Sequence, residues 1–77
     1  MPDSAAAVIN RASLLLRGER YAEALEMLRT VENDERAQNA LGVALYMTGD
    51  KQEALCRFRR AAALGNEDAR RNIEQLE

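Results

Sequence analysis

Histidine is absent from this 77-residue sequence, and with it go the usual general base, proton shuttle and imidazole metal ligand. A single cysteine, Cys56, can make neither an internal disulfide nor a thiolate zinc site. Tryptophan is missing and only Tyr21, Tyr46 and Phe58 are aromatic. A core must therefore come from closely packed helices rather than from large buried rings. Charge of one sign is not in surplus: eleven basic residues face thirteen acidic ones, for a formal charge of −2. That balance argues against electrostatic binding to nucleic acid or to an anionic membrane. No apolar run approaches the ~18 residues needed to span a bilayer. The early apolar stretches, Ala5 to Ile9 and Leu14 to Leu16, are split by Asn10 and Arg11, and Asp3 stands where a signal peptide is basic. Neither leader nor membrane insertion is expected. The cytoplasm is the default compartment unless the segment belongs to an envelope protein.

What remains is a globular balance, 47% apolar and 31% charged, arranged with a helical period almost from end to end. Val8, Ala12, Leu15 and Leu16 share one face. Tyr21, Ala24, Leu25, Leu28 and Val31 follow the i, i+3, i+4, i+7 pattern. Ala37, Leu41, Ala44, Leu45 and Thr48 form a third stripe, and Ala54, Leu55, Phe58, Ala61 and Ala62 a fourth. Ala69, Ile73 and Leu76 close the chain, and no segment alternates as a strand would. Gly18, Gly49 and Gly65 each stand just past a stripe, where a left-handed residue suits glycine. Asp50 and Asn66 read as helix caps, Asp34 starts the third helix, and Asp3 or Ser4 starts the first. The second helix has no good cap. The pattern predicts helices over 5–17, 21–32, 35–48, 51–64 and 67–76.

Connections of two to four residues make each helix double back on the last. A shift of thirty residues lays Glu23-Ala24-Leu25 on Glu53-Ala54-Leu55, Leu28 on Phe58 and Ala12 on Gly42. Two helical hairpins therefore share one design, in which small residues at the crossing let the backbones approach. The chain reads as one all-α domain over 1–77, with hairpins at about 5–32 and 35–64 and a capping helix at about 67–76.

The run Ala40-Leu41-Gly42, Tyr46, Gly49-Asp50, Glu53-Ala54-Leu55, Phe58 and Ala61 resembles a tetratricopeptide repeat. That repeat is a helix–turn–helix of about 34 residues marked by Leu-Gly, an aromatic, Ala, Phe and a later Pro. Gln38 stands where the repeat carries a bulky aromatic, and Asn66 where it carries Pro. The first hairpin is similar over Arg17 to Leu28, with one extra residue between Gly18 and Ala24 and Arg11 in place of Leu. Arg59 to Leu76 also resembles the junction of Sel1-like repeats, through Ala61-Ala62, Gly65-Asn66, Ala69 and Ile73. Together the resemblances cover residues 5–76. They imply stacked antiparallel hairpins, a right-handed α-solenoid fragment, and a role in protein–protein contacts.

In such stacks the first helix of each hairpin faces a concave side where peptides dock. On this chain that side would hold Asn10, Ser13 and Arg17, then Arg36, Asn39, Val43, Tyr46 and Met47, then Arg71 and Asn72. Asn can hydrogen-bond an extended backbone, Arg can clamp a carboxylate, and Tyr and Met offer adaptable apolar contact. The plainer alternative makes Tyr46 and Met47 packing residues and the polar ones merely solvated. The family's Lys and Asn grip on a terminal carboxylate is not reproduced, since Lys51 is the only lysine. Arg57, Arg59, Arg60, Arg70 and Arg71 read as a solvated, self-paired cluster, with Glu53 and Glu67 each four residues before an Arg. Cys56 reads as a half-buried filler on the outer side of the fourth helix, without a base beside it.

These residues support no catalytic constellation, cofactor or metal. The expected function is a non-catalytic interaction module that binds a protein or peptide through its concave face. The alternative is a structural segment that self-associates as a homo-oligomer, or docks on a larger parent protein, through its end faces.

Overall fold

A computed structural model describes residues 3–77, and those residues are helical apart from short turns. Five α-helices follow in order: α1 (Ser4–Arg17), α2 (Tyr21–Arg29), α3 (Gln38–Met47), α4 (Lys51–Ala63) and α5 (Glu67–Leu76). A short 3-10 turn, Glu35–Ala37, leads into α3. Four side chains start helical segments by accepting an otherwise orphaned backbone N–H. Asp3 takes that of Ala6, Asp34 that of Arg36, Asp50 that of Glu53 and Asn66 that of Ala69. Arg20, before α2, makes no such bond.

Helix endings repeat one device. The N–H of Arg20 reaches back to the Leu15 carbonyl, that of Asp50 to Leu45 and that of Asn66 to Ala61, at 2.9, 2.8 and 3.0 Å. Each bond spans a left-handed residue, as in a Schellman closure. Gly49 and Gly65 fill that position with φ of 100° and 96°, but in the first turn it is Glu19, at φ 62°, and not Gly18. The residue inserted after Gly18 explains the difference. Counting back thirty from Gly49 lands on Glu19, so the closure keeps its register and the glycine falls one place early.

The second expected helix is shorter than its stripe. It ends at Arg29, and the N–H of Val31 bonds the Leu28 carbonyl in a tighter turn. Val31 continues the apolar spacing without continuing the helix. The Asp34 carboxylate then takes the N–H of Arg36, only two residues on, at 2.8 Å. That local bond holds the entry to α3 in 3-10 form, where one continuous helix from residue 35 is expected.

The fully enclosed core is mostly small: Ala12, Ala24, Ala37, Ala44, Ala54, Ala61 and Ala69 surround Leu28, Leu41, Leu45 and Phe58. Packing is closest between α3 and α4, with α1 on α2, α4 on α5 and α2 on α3 following. Ile73 and Leu76 of α5 lie half-buried against this core. A radius of gyration of 11.5 Å is that of a compact chain of this length. Among the described residues no helix is long and apolar enough to cross a membrane.

Candidate functional site

At the crossing of α3 and α4 the Phe58 ring occupies the space that a side chain at Gly42 would need. Phe58 also contributes to the wall of a surface groove between α3 and α5. Val43, Tyr46 and Met47 come from α3, and Asn72, Gln75 and Leu76 from α5. The groove measures about 210 Å³. Small-molecule sites run to roughly 300–1,000 Å³, so its capacity is closer to one large side chain. Tyr46 is 44% exposed and Met47 47%, which is solvent contact that a packing role alone does not require. Across the groove's edge the Asn72 side-chain amide donates to Asn39 Oδ1 at 3.2 Å. This bond ties α5 to α3.

Of the ten concave-side candidates, Val43, Tyr46, Met47 and Asn72 line the groove, and Asn39 joins them through that bond. The others lie elsewhere. Asn10 and Arg17 are exposed on α1, and the Ser13 hydroxyl donates to the Ile9 carbonyl of its own helix at 2.9 Å. Arg36 is already engaged, at 2.6 Å from Asp3 and 2.7 Å from Asp34. Its guanidinium, with the Arg36 backbone N–H, holds the Asp34 carboxyl down at about 2 and also lowers Asp3. Arg71 sits 3.4 Å from Asp68 in an exposed pair. Sequence reasoning did not include Phe58, Gln75 and Leu76 in the site. The first read as core, and the other two fall three and four residues beyond Asn72, a spacing that marks one helix face.

Gln38, in place of a bulky aromatic, is buried and fully used. Its amide nitrogen donates to the Glu32 and Asp34 carbonyls at 2.8 and 2.9 Å, and its oxygen accepts from Arg57 at 3.2 Å. Arg57 also donates to the Glu32 carbonyl at 3.0 Å and lies within 3.4 Å of the Glu32 and Glu53 carboxylates. With its side chain 12% exposed, Arg57 departs from the solvated face expected of the basic cluster. Glu53 makes a two-pronged pair with Arg29 at 2.7 and 2.9 Å, which lowers its pKa. Arg59 pairs loosely with Glu77, and Arg70 rather than Arg71 takes Glu67. Cys56 is exposed rather than half-buried.

Four other clefts, of about 300 to 360 Å³, are larger, and each has charged residues in its lining. One, of about 300 Å³, joins Ala63 and Leu64 to Asn33, Glu35 and Arg60. Another, of about 360 Å³, lies between residues 19–23 and the end of α3 at Met47 and Thr48. Among the described residues no three His, Cys, Asp or Glu side chains gather as a metal site would need. Family models, curated proteins and solved structures yield no match to the chain.

Proposed function

We propose that the chain is a non-catalytic protein-interaction module of tetratricopeptide type. In this reading two hairpins, α1–α2 and α3–α4, are closed by α5 and take a peptide or partner segment on the face of α1, α3 and α5. Two contacts support a side-by-side course for α1 and α3. Asp3, at the start of α1, pairs with Arg36 just before α3, and the residues after α1 share a cleft with the end of α3. Helices that begin together and end together run parallel, as first helices of successive hairpins do. The close fit of Phe58 on Gly42 and the closure repeated at thirty residues are what one design used twice would produce.

The observation that carries the reading is the α3–α5 groove, where Tyr46 and Met47 stay exposed beside the Asn39–Asn72 pair. The groove is tested by replacing Asn39 and Tyr46 with Ala and comparing pull-downs from the source extract, with circular dichroism to check folding. Partners should be lost while the fold is kept. Capture of the same partners at equal strength would remove the groove from consideration.

Leu14 favours a second reading, assembly through an end face. It is 64% exposed on α1, and a large exposed apolar side chain is a natural contact for a second copy or a parent domain. Light scattering over a range of concentrations separates the two. Self-association abolished by Leu14→Glu supports assembly, and a monomer at all concentrations supports the groove.

A further inference from the structure

Resting on the assembly reading above, we infer that the outer face of α1 and α2 pairs with the same face of a second copy about a two-fold axis, α1 of each copy lying over α2 of the other. Helices α1 and α2 pack on each other and on α3, and α5 packs on α4, which leaves α1–α2 and α5 outermost. The two ends differ. Every exposed residue of α5, from Glu67 to Gln75, is charged or an amide, the polar finish that closes a stack of helices. Helix α1 has no such finish. Ala7, Arg11, Leu14 and Leu15 recur at the spacing of one helix face, with Ala7 exposed and Leu14 64% exposed. Joining that end to the α5 end would bury Leu14 against charge, so like meets like and the contact closes on two copies.

Charge fixes which helix lies over which. The only charged residues of α1 are Arg11 and Arg17, and among the described residues neither has an ion-pair partner. The cleft between α1 and α2, of about 300 Å³, is acidic instead, lined by Leu15, Glu23, Glu26, Met27 and Thr30. Glu23 holds Arg20, 2.6 Å away, while Glu26 has no ion-pair partner among the described residues. Were α1 to cross α1 of the second copy, arginine would stand against arginine. With α1 over α2, Arg11 of each copy meets Glu26 of the other, once on each side of the axis. Leu14 then reaches the apolar part of the opposite cleft, Leu15 and Met27. An unpaired arginine and an unpaired glutamate on one face make that face complementary to itself.

Charge reversal in the full chain tests this by sedimentation over a range of concentrations, with circular dichroism to check folding. The parent chain should form a dimer and stop there. Arg11→Glu and Glu26→Arg, each alone, set like charges together twice, and each should weaken the dimer about tenfold or more. An equimolar mixture of the two variants should regain the parent's affinity, because a mixed pair restores opposite charges at both contacts. A dimer lost in Leu14→Glu but unmoved by both reversals would overturn the pairing of α1 with α2 and leave end-face assembly standing. So would a mixture no tighter than its components. Growth beyond two copies would overturn the two-fold axis. A parent chain that stays a monomer at every concentration would overturn this inference and the assembly reading together.

Discussion

Gly42 and Phe58 are packed so closely that a β-carbon on Gly42 would stand 2.5 Å from Cδ1 and 2.9 Å from Cζ of the Phe58 ring. The glycine lies inside α3 with no positive φ, so backbone freedom does not explain it. Contact does. The two effects oppose each other in Gly42→Ala. Helix propensity favours alanine by about 1 kcal/mol, and overpacking a filled core costs about 1–3 kcal/mol. With Phe58 only 2% exposed, overpacking should win. Thermal melting should fall by about 5–10 °C. In a Phe58→Leu background the same change should cost nothing, because the ring is gone. A stabilised single variant would show that the crossing is loose.

A second relationship, between Gln38 and Arg57, tests whether the buried polar group acts as a unit. Gln38→Leu strips the Glu32 and Asp34 carbonyls of a donor, and Arg57→Met strips the Gln38 oxygen and both nearby carboxylates. Each should cost about 1–3 kcal/mol in denaturant unfolding, the range for leaving enclosed polar groups unpaired. The double variant should cost clearly less than the sum, since one network can be broken only once. Additive losses would mean that the two side chains serve separate neighbours.

The contrast between these pairs separates what the sequence reveals from what it hides. Phe58 lies on a stripe, and the thirty-residue shift sets it on Leu28 and Gly42 on Ala12, so their meeting is legible. The capping roles of Asp50 and Asn66 are legible for the same local reason. Gln38 gives no such signal, because its partners are backbone carbonyls in the preceding turn and an arginine nineteen residues away. The end of α2 is hidden too, since Val31 keeps the helical spacing while the chain turns. In the groove, Val43, Tyr46 and Met47 of α3 and Asn72 of α5 were legible through the resemblance to stacked hairpins. Leu76 was not, because it reads as part of the buried closing stripe, and Gln75 was not, because a polar residue beside that stripe reads as solvated.

Acid should weaken the fold through the Asp34–Arg36–Asp3 cluster. Asp34 titrates at about 2 in the folded chain against an ordinary 3.8, chiefly because Arg36 hydrogen-bonds its carboxylate. The unfolded chain therefore takes up the proton first. The group's contribution is intact above about pH 4 and is lost as pH falls through about 2. Asp3, depressed by Arg36, and Glu53, depressed by Arg29, act in the same direction. All three carboxylates are partly or well exposed, so the slope should be shallow and salt should flatten it. Denaturation midpoints across the acid range should show Arg36→Gln less stable at neutral pH with a reduced acid slope, Glu53 supplying the remainder. An acid profile identical to the parent chain would exclude the cluster as its source.

Helix α5 contributes the fully enclosed Ala69 and the half-buried Ile73 and Leu76. Removing it would uncover the side of α4 on which it packs and open the wall against which Phe58 is held. A chain of this size has little stability in reserve, because each ordered residue costs roughly 1.5 kcal/mol of conformational entropy. Truncation after Gly65 should therefore lower the melting temperature drastically or abolish the transition. Ile73→Ala offers a graded version: a half-buried residue should cost about 1–2 kcal/mol, below the range for full enclosure. Melting curves decide between a cap and an ornament. If the truncated chain melts with the parent, α5 is dispensable to the fold, and the groove rests on a wall free to leave.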